Sequence, residues 1–141
     1  MSFTFPSAEW ATEYKRKLDE NPAYREAAAN WTFGPIALVI KADAAIGLAE
    51  DVGLFLDIDR GVCRDIKVVS RSDADKAPFC IAGEYSRWKS VIRKDLDPIK
   101  AMMQKKLELK GQMTTIGKYV NASKELVESA TRVPTLFLDE K

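Results

Sequence analysis

A chain of 141 residues and 15.8 kDa, 46% apolar, 30% charged and of net charge +1, has the size and balance of one globular domain. At this size folding removes roughly two-thirds of the chain's surface from water, enough for one core without staples. There is no histidine, which excludes Ser-His-Asp and Cys-His nucleophile systems, histidine proton shuttles and imidazole-built zinc sites.

The first third reads as helix. Trp10, Tyr14 and Leu18 recur on one face, with Ser7 placed to cap. Asn21-Pro22 opens a second helix, cap then proline, running from Ala23 to Asn30 with Tyr24, Ala27, Ala28 and Trp31 along one side. The N-terminal stretch from Met1 to Trp10 has neither the basic flank nor the apolar core of a leader peptide.

The period then changes to two. Ile36, Leu38 and Ile40 alternate; Leu54, Leu56 and Ile58 alternate again; Val62, Arg64, Ile66 and Val68 continue past Asp59-Arg60-Gly61, a hairpin signal. Pro78 to Gly83 reads as a fourth strand, and four strands joined by short turns predict an antiparallel meander. Cys63 and Cys80 sit in these stretches without C-x-x-C or metal-knuckle spacing, as expected of small buried thiols in a reducing, cytoplasmic setting. The longest apolar run, Pro35 to Ile40, is far short of the ~20 residues a membrane span needs.

Helices return after Gly83. Tyr85, Trp88, Val91 and Ile92 share a stripe, and Asp97-Pro98 opens a further helix with Ile99, Met102 and Met103 inward. Leu107 to Gly111 is a short strand. Met113, Ile116 and Tyr119 follow at helical spacing, and Leu126, Val127 and Ala130 mark a last helix. The class is α+β in a single domain, 1–141: helices 7–30, sheet 35–84, helical lid and last strand 85–131, tail 132–141.

The charge is uneven. From Ser86 to Lys118 there are 9 basic and 3 acidic residues, against 10 and 14 before it. Solvated helix faces or an anionic membrane surface account for such a run. Nucleic acid is disfavoured, because the tryptophans and tyrosines fall on apolar stripes and not among the arginines. Asp57 and Asp59, and Glu50-Asp51, read as turn and solvent-face carboxylates; a carboxylate enzyme built on Asp57 and Asp59 is the weakest alternative. Met102, Met103 and Met113 suit either irregular core packing or a pliable cavity.

The segment from Tyr85 to Met113, YSRWKSVIRKDLDPIKAMMQKKLELKGQM, resembles the sterol carrier protein type-two family. That pattern runs W-x-x-V/L, a Gly-basic-Leu turn, D/N-P, then G-K-L-x-x-K-G-x-M. It is carried here by Trp88, Leu96, Asp97, Pro98, Ala101, Met103, Lys106, Leu107, Lys110, Gly111 and Met113. The strands upstream and Arg132-Val133-Pro134-Thr135 also look like the short stand-alone prokaryotic members.

The resemblance implies a five-stranded, mostly antiparallel sheet covered on one face by helices and enclosing an apolar tunnel. It also implies a non-enzymatic carrier of fatty acids, acyl-CoA, sterol-like molecules or phospholipids, with no cofactor. Wall residues are then expected at Leu56, Ile58, Trp88, Val91, Ile92, Met102, Met103, Leu109, Met113, Ile116 and Tyr119, with Arg93, Lys94, Lys105 and Lys106 at a head-group rim. The family usually has glycine where this chain has Lys94 and Lys105, so those two turns are expected to differ in backbone shape. The peroxisomal tripeptide of eukaryotic relatives is not matched by Asp139-Glu140-Lys141.

A second reading is an accessory protein that presents apolar intermediates to a partner biosynthetic enzyme. A homodimer or a complex would bury the same stripe, and Pro134 to Leu138 would serve as a docking strand unless it folds back on its own core.

Overall fold

The computed structural model describes residues 2–140; Met1 and Lys141, at the limits of the leader and tripeptide readings, lie outside the described residues. In chain order the elements are β1 (Phe3–Phe5), α1 (Ala8–Asp19), α2 (Pro22–Ala27), β2 (Ile36–Ile40), β3 (Val52–Asp59), β4 (Val62–Val69) and α3 (Arg71–Ala74). There follow β5 (Phe79–Gly83), α4 (Tyr85–Ile92), α5 (Pro98–Met103), β6 (Glu108–Lys110), α6 (Met113–Ile116), α7 (Val120–Thr131) and β7 (Thr135–Phe137).

The capping residues do what their chemistry dictates. The Ser7 hydroxyl accepts the Trp10 amide at 3.1 Å and starts α1. The Asn21 side chain accepts the amides of Ala23 and Tyr24 and starts α2; Asp97 accepts those of Ile99 and Lys100 and starts α5. Each satisfies amides that the first helical turn leaves without partners. The second helix ends at Ala27, short of Asn30, in a turn that the Trp31 amide closes by donating to the Ala28 carbonyl at 2.9 Å.

The main sheet has five strands in the order β4-β3-β2-β5-β6. The meander expectation is corrected here. Strands β2, β3 and β4 pair antiparallel in succession, but β5 lies on the far side of β2 and runs parallel to it, with Ile36 opposite Phe79 and Ile40 opposite Gly83. A parallel neighbour needs a crossover, and the segment containing α3 supplies it. Every residue of β5 is buried, as a strand covered on both faces requires. Strand β6 adds antiparallel to β5, so the sheet is mixed.

At the β3–β4 turn Arg60 (φ 51°) and Gly61 (φ 82°) both take positive φ, the two-residue hairpin geometry that matches strand twist. Beyond it the simple alternation of β4 fails. Ile58 pairs with Cys63 but Asp57 with Asp65, so Arg64 is an extra, bulged residue. The bulge turns Cys63 inward and leaves Val62 exposed.

Helices α1, α2 and α4–α7 cover one face of the sheet. The other carries a smaller layer in which Ala37, Val39, Cys80 and Ala82 pack against Ala74 and Ala77. The tail folds back: β7 pairs parallel with β1, and Phe137 joins Phe5, Trp10 and Tyr85 in an aromatic cluster. The Tyr85 hydroxyl ties the ends together, donating to the Phe5 carbonyl at 2.7 Å and accepting the Leu138 amide at 2.9 Å.

Lys94 and Lys105 overturn the expectation of altered turns. Both take the left-handed conformation, φ 65° and 60°. Each follows its helix cap in the same paired-bond motif: Lys94 N–H to Val91 C=O with Asp95 N–H to Ser90 C=O, and Lys105 N–H to Met102 C=O with Lys106 N–H to Ala101 C=O. The two backbone bonds hold the turn whatever the side chain, so lysine accepts a geometry that favours glycine. Lys105→Gly is therefore expected to stabilise the fold by about 1 kcal/mol, raising Tm by about 2–4 °C. Lys94→Gly gains less, because it also removes the ion pair with Glu128 at 2.7 Å. Thermal melts of the two variants check the order.

Candidate functional site: an apolar cavity under the helical lid

The inner face of the sheet forms the floor of a cavity of about 110 Å³, built by Ile36, Leu38 and Ile40 of β2, Leu54 and Leu56 of β3, and Ile81 of β5. The walls and roof come from all the covering helices: Trp10 and Tyr14 of α1, Tyr24 of α2, Trp88, Val91 and Ile92 of α4, Pro98 and Met102 of α5, Ile116 of α6, and Ser123, Leu126 and Val127 of α7. Leu38 sits at the centre of the sheet yet is only half-buried. Elsewhere on the wall Pro98, Tyr119, Ser123, Leu126 and Val127 also keep partial exposure, which places the thinnest cover between α5 and the start of α7. A lining this apolar offers water few hydrogen-bond partners.

Most polar groups on the wall are turned away into backbone or side-chain partners. The indoles of Trp10, Trp31 and Trp88 donate to Thr135 Oγ1, the Gly34 carbonyl and the Val39 carbonyl at 2.8–2.9 Å. The hydroxyls of Tyr14 and Tyr119 donate to the carbonyls of Leu126 and Asn30 at 2.9 and 3.0 Å. Burial holds the phenols of Tyr14 and Tyr24 well above the ordinary tyrosine range and pushes the Cys63 thiol up to about 12, so all three stay protonated. Among the described residues, no side chain that lines the cavity is charged.

Of the wall residues expected from the sequence, the fold brings together Leu56, Trp88, Val91, Ile92, Met102, Ile116 and Tyr119 on the cavity surface. Ile58 is buried in the same core but lies away from the cavity lining. Leu109 on β6 and Met113 at the start of α6 are half-buried against the core and do not line it either. Met103 is the clear correction: it is 67% exposed. One residue is about 100° of helix, so with Met102 facing inward Met103 faces water.

None of the four rim residues lines the cavity. Arg93 pairs with Glu140 and stacks over the Phe137 ring at 4.9 Å, and Lys94 pairs with Glu128. Lys105 and Lys106 are exposed, with no carboxylate in ion-pair range among the described residues. The carboxylates of Asp57, Asp59 and Asp51 are engaged on the surface: Asp57 with Arg64 at 2.8 Å, Asp59 with Arg60 at 3.5 Å, and Asp51 with Arg71 at 3.0 Å. No group of histidine, cysteine or carboxylate side chains suited to a metal occurs among the described residues.

Trp10, Tyr14, Tyr24, Ala28, Trp31, Leu126, Val127 and Ala130 complete the wall, beyond the residues that the resemblance points to. The sequence shows their stripes but not that the stripes enclose space, because periodicity reports which face is apolar and not how closely it packs.

The profile of the SCP-2 sterol transfer family matches residues 12–124. The chain belongs to that family. It is similar, at 36% identity and a TM-score of 0.83, to a crystal structure of sterol carrier protein 2, over 90% of this chain and 97% of that one. It is equally similar, at 36% identity and a TM-score of 0.83, to the conserved hypothetical protein TT1886 from Thermus thermophilus, over 92% of this chain and 90% of that one. A UbiJ-SCP2 ubiquinone synthesis protein shares the fold alone, at 17% identity and a TM-score of 0.54 over 86% of this chain and 89% of that one. No curated protein sequence matches the chain. Membership places the protein among lipid-binding folds in general. No helix among the described residues is long and apolar enough to cross a membrane.

Proposed function

We propose that this SCP-2 family protein binds the hydrocarbon portion of a lipid, an acyl chain or a similarly apolar body, in the cavity under its helical lid and carries it through water without chemical change. The observation that carries this reading is the apolar cavity itself, roofed by short helices. Each methylene withdrawn from water adds about 0.8 kcal/mol, so affinity needs few polar contacts. The vacant space takes the first methylenes. A longer chain needs the wall to move outward, which the flexible Met102 and the six-residue α5 favour.

The charge map supports a side of approach. Lys89, Arg93 and Lys94 are neutralised by Asp139, Glu140 and Glu128, whereas Lys100, Lys105 and Lys106 surround exposed Met103 without such partners among the described residues. Cations around an apolar tip suit transient contact with an anionic bilayer. This corner ends α5, whose Pro98 and Met102 wall the cavity.

A vesicle-to-vesicle transfer assay with a fluorescent fatty acid tests both parts. The protein is expected to accelerate transfer, more from phosphatidylglycerol-containing than from phosphatidylcholine vesicles. Replacing Lys100, Lys105 and Lys106 with glutamine should remove that difference. No acceleration from either vesicle would refute the carrier reading, and an unchanged preference in the triple variant would refute the docking corner.

A further inference from the structure

One polar atom on the cavity wall breaks the pattern of the others. The Trp10, Trp31 and Trp88 indoles and the Tyr14 and Tyr119 hydroxyls are each spent on a protein acceptor. Ser123, at the thinly covered side, is half-buried and within reach of water. Tyr24 differs from all of them. It is 2% exposed and lines the cavity. Its hydroxyl has no hydrogen-bond partner among the described residues, while its near neighbour Tyr14 has one.

No buried side-chain oxygen or nitrogen among the described residues is both sealed from solvent space and unpaired. The Tyr24 oxygen therefore keeps contact with open space, and Tyr24 is among the residues that line the cavity. An O–H left facing a dry hydrocarbon pocket is costly, and a site that leaves such a group unpaired when the wrong ligand binds discriminates against that ligand. The ring is anchored at the backbone of α2 by the Asn21 cap and by packing in the core, so the hydroxyl is presented from a fixed position.

We propose that Tyr24 reads the ligand: the cavity selects lipids that carry a hydrogen-bonding oxygen, a hydroxyl or keto group, on the hydrocarbon portion that enters it. This rests on the carrier reading above and adds the substrate class. The phenol acts as donor to a keto oxygen or as donor and acceptor to a hydroxyl. Burial keeps its proton in place across the neutral range.

The test uses the full chain and its Tyr24→Phe variant, with dodecanoic acid and its terminal and mid-chain hydroxy and keto derivatives as probes, by calorimetric titration. Phenylalanine keeps the ring and removes an atom that no described residue bonds, so the fold is expected to persist; matching melting curves verify it. In the parent, at least one oxygenated acid binds about tenfold more tightly than dodecanoic acid. In Tyr24→Phe that preference falls to near unity, and plain dodecanoic acid binds as tightly or more tightly than before. The same ratio of affinities in the two proteins would overturn the proposal while leaving the carrier reading intact. Binding of none of the acids would overturn both.

Discussion

Leu38→Trp is expected to weaken acyl-chain binding about 15-fold while leaving the fold in place. Leu38 stands in the middle of the central strand, faces the cavity and is only half-buried. An indole at this position enters space that is already vacant, so the overpacking cost that a filled core imposes is largely avoided. It exceeds the leucine side chain by the volume of about two methylene groups of a ligand. At about 0.8 kcal/mol each, their loss removes about 1.6 kcal/mol, or about a 15-fold fall in affinity. Calorimetric titration with dodecanoic acid reads the affinity and a thermal melt reads the fold. Undiminished binding by a well-folded Leu38→Trp protein would place the ligand elsewhere.

Trp88→Ala is expected to have the largest effect on stability, about 3–5 kcal/mol. Trp88 is buried between the lid and the sheet. Its indole lies over Gly83, where an added Cβ would sit 3.4 Å from Nε1, and it donates to the Val39 carbonyl at 2.8 Å, across the boundary that the cavity would otherwise weaken. Truncation enlarges the cavity, strips the lid of its main anchor and leaves the Val39 carbonyl short of a donor. Trp88→Phe keeps most of the packing and loses the hydrogen bond, so about 1–2 kcal/mol is expected. Urea unfolding of the three proteins gives the series directly. A loss below about 1 kcal/mol for alanine would mean that α4 is held to the sheet by something other than this residue.

Much of the fold was legible because local chemistry decided it. Ser7, Asn21-Pro22 and Asp97-Pro98 started helices where capping requires, and Arg60-Gly61 turned the hairpin. The parallel placement of β5 was not legible from Pro78 to Gly83 alone. Apolar residues at every position signal burial on both faces, but not which neighbour supplies it. The bulge at Arg64 was hidden for a related reason: Val62, Arg64, Ile66 and Val68 alternate as well as a regular strand does, and only the register against β3 exposes the extra residue. Positions 94 and 105 hold no glycine, yet the backbone there is left-handed. Lys94 and Lys105 show that the capping bonds impose the shape and the side chain follows.

For the site, the lid half of the wall came from one recognisable segment, and the other half came from helices with no motif at all. Tyr24 and Trp31 were visible only as members of an amphipathic stripe. What separates Tyr24 from Tyr14 is a hydrogen bond to the Leu126 carbonyl, more than a hundred residues away in sequence, which no local pattern encodes. The same holds for the rim: Arg93 and Lys94 read as free positive charge until Glu140 and Glu128 are brought beside them by the fold.

The most direct measurement is isotope-filtered NMR of the delipidated protein with uniformly ¹³C-labelled dodecanoic acid. Cross-peaks from the chain methylenes to Leu38, Met102 and Val127 are predicted, with none to the outer sheet layer around Ala74 and Ala77. Cross-peaks confined to surface residues, or no saturable binding at all, would contradict a lipid held under the lid.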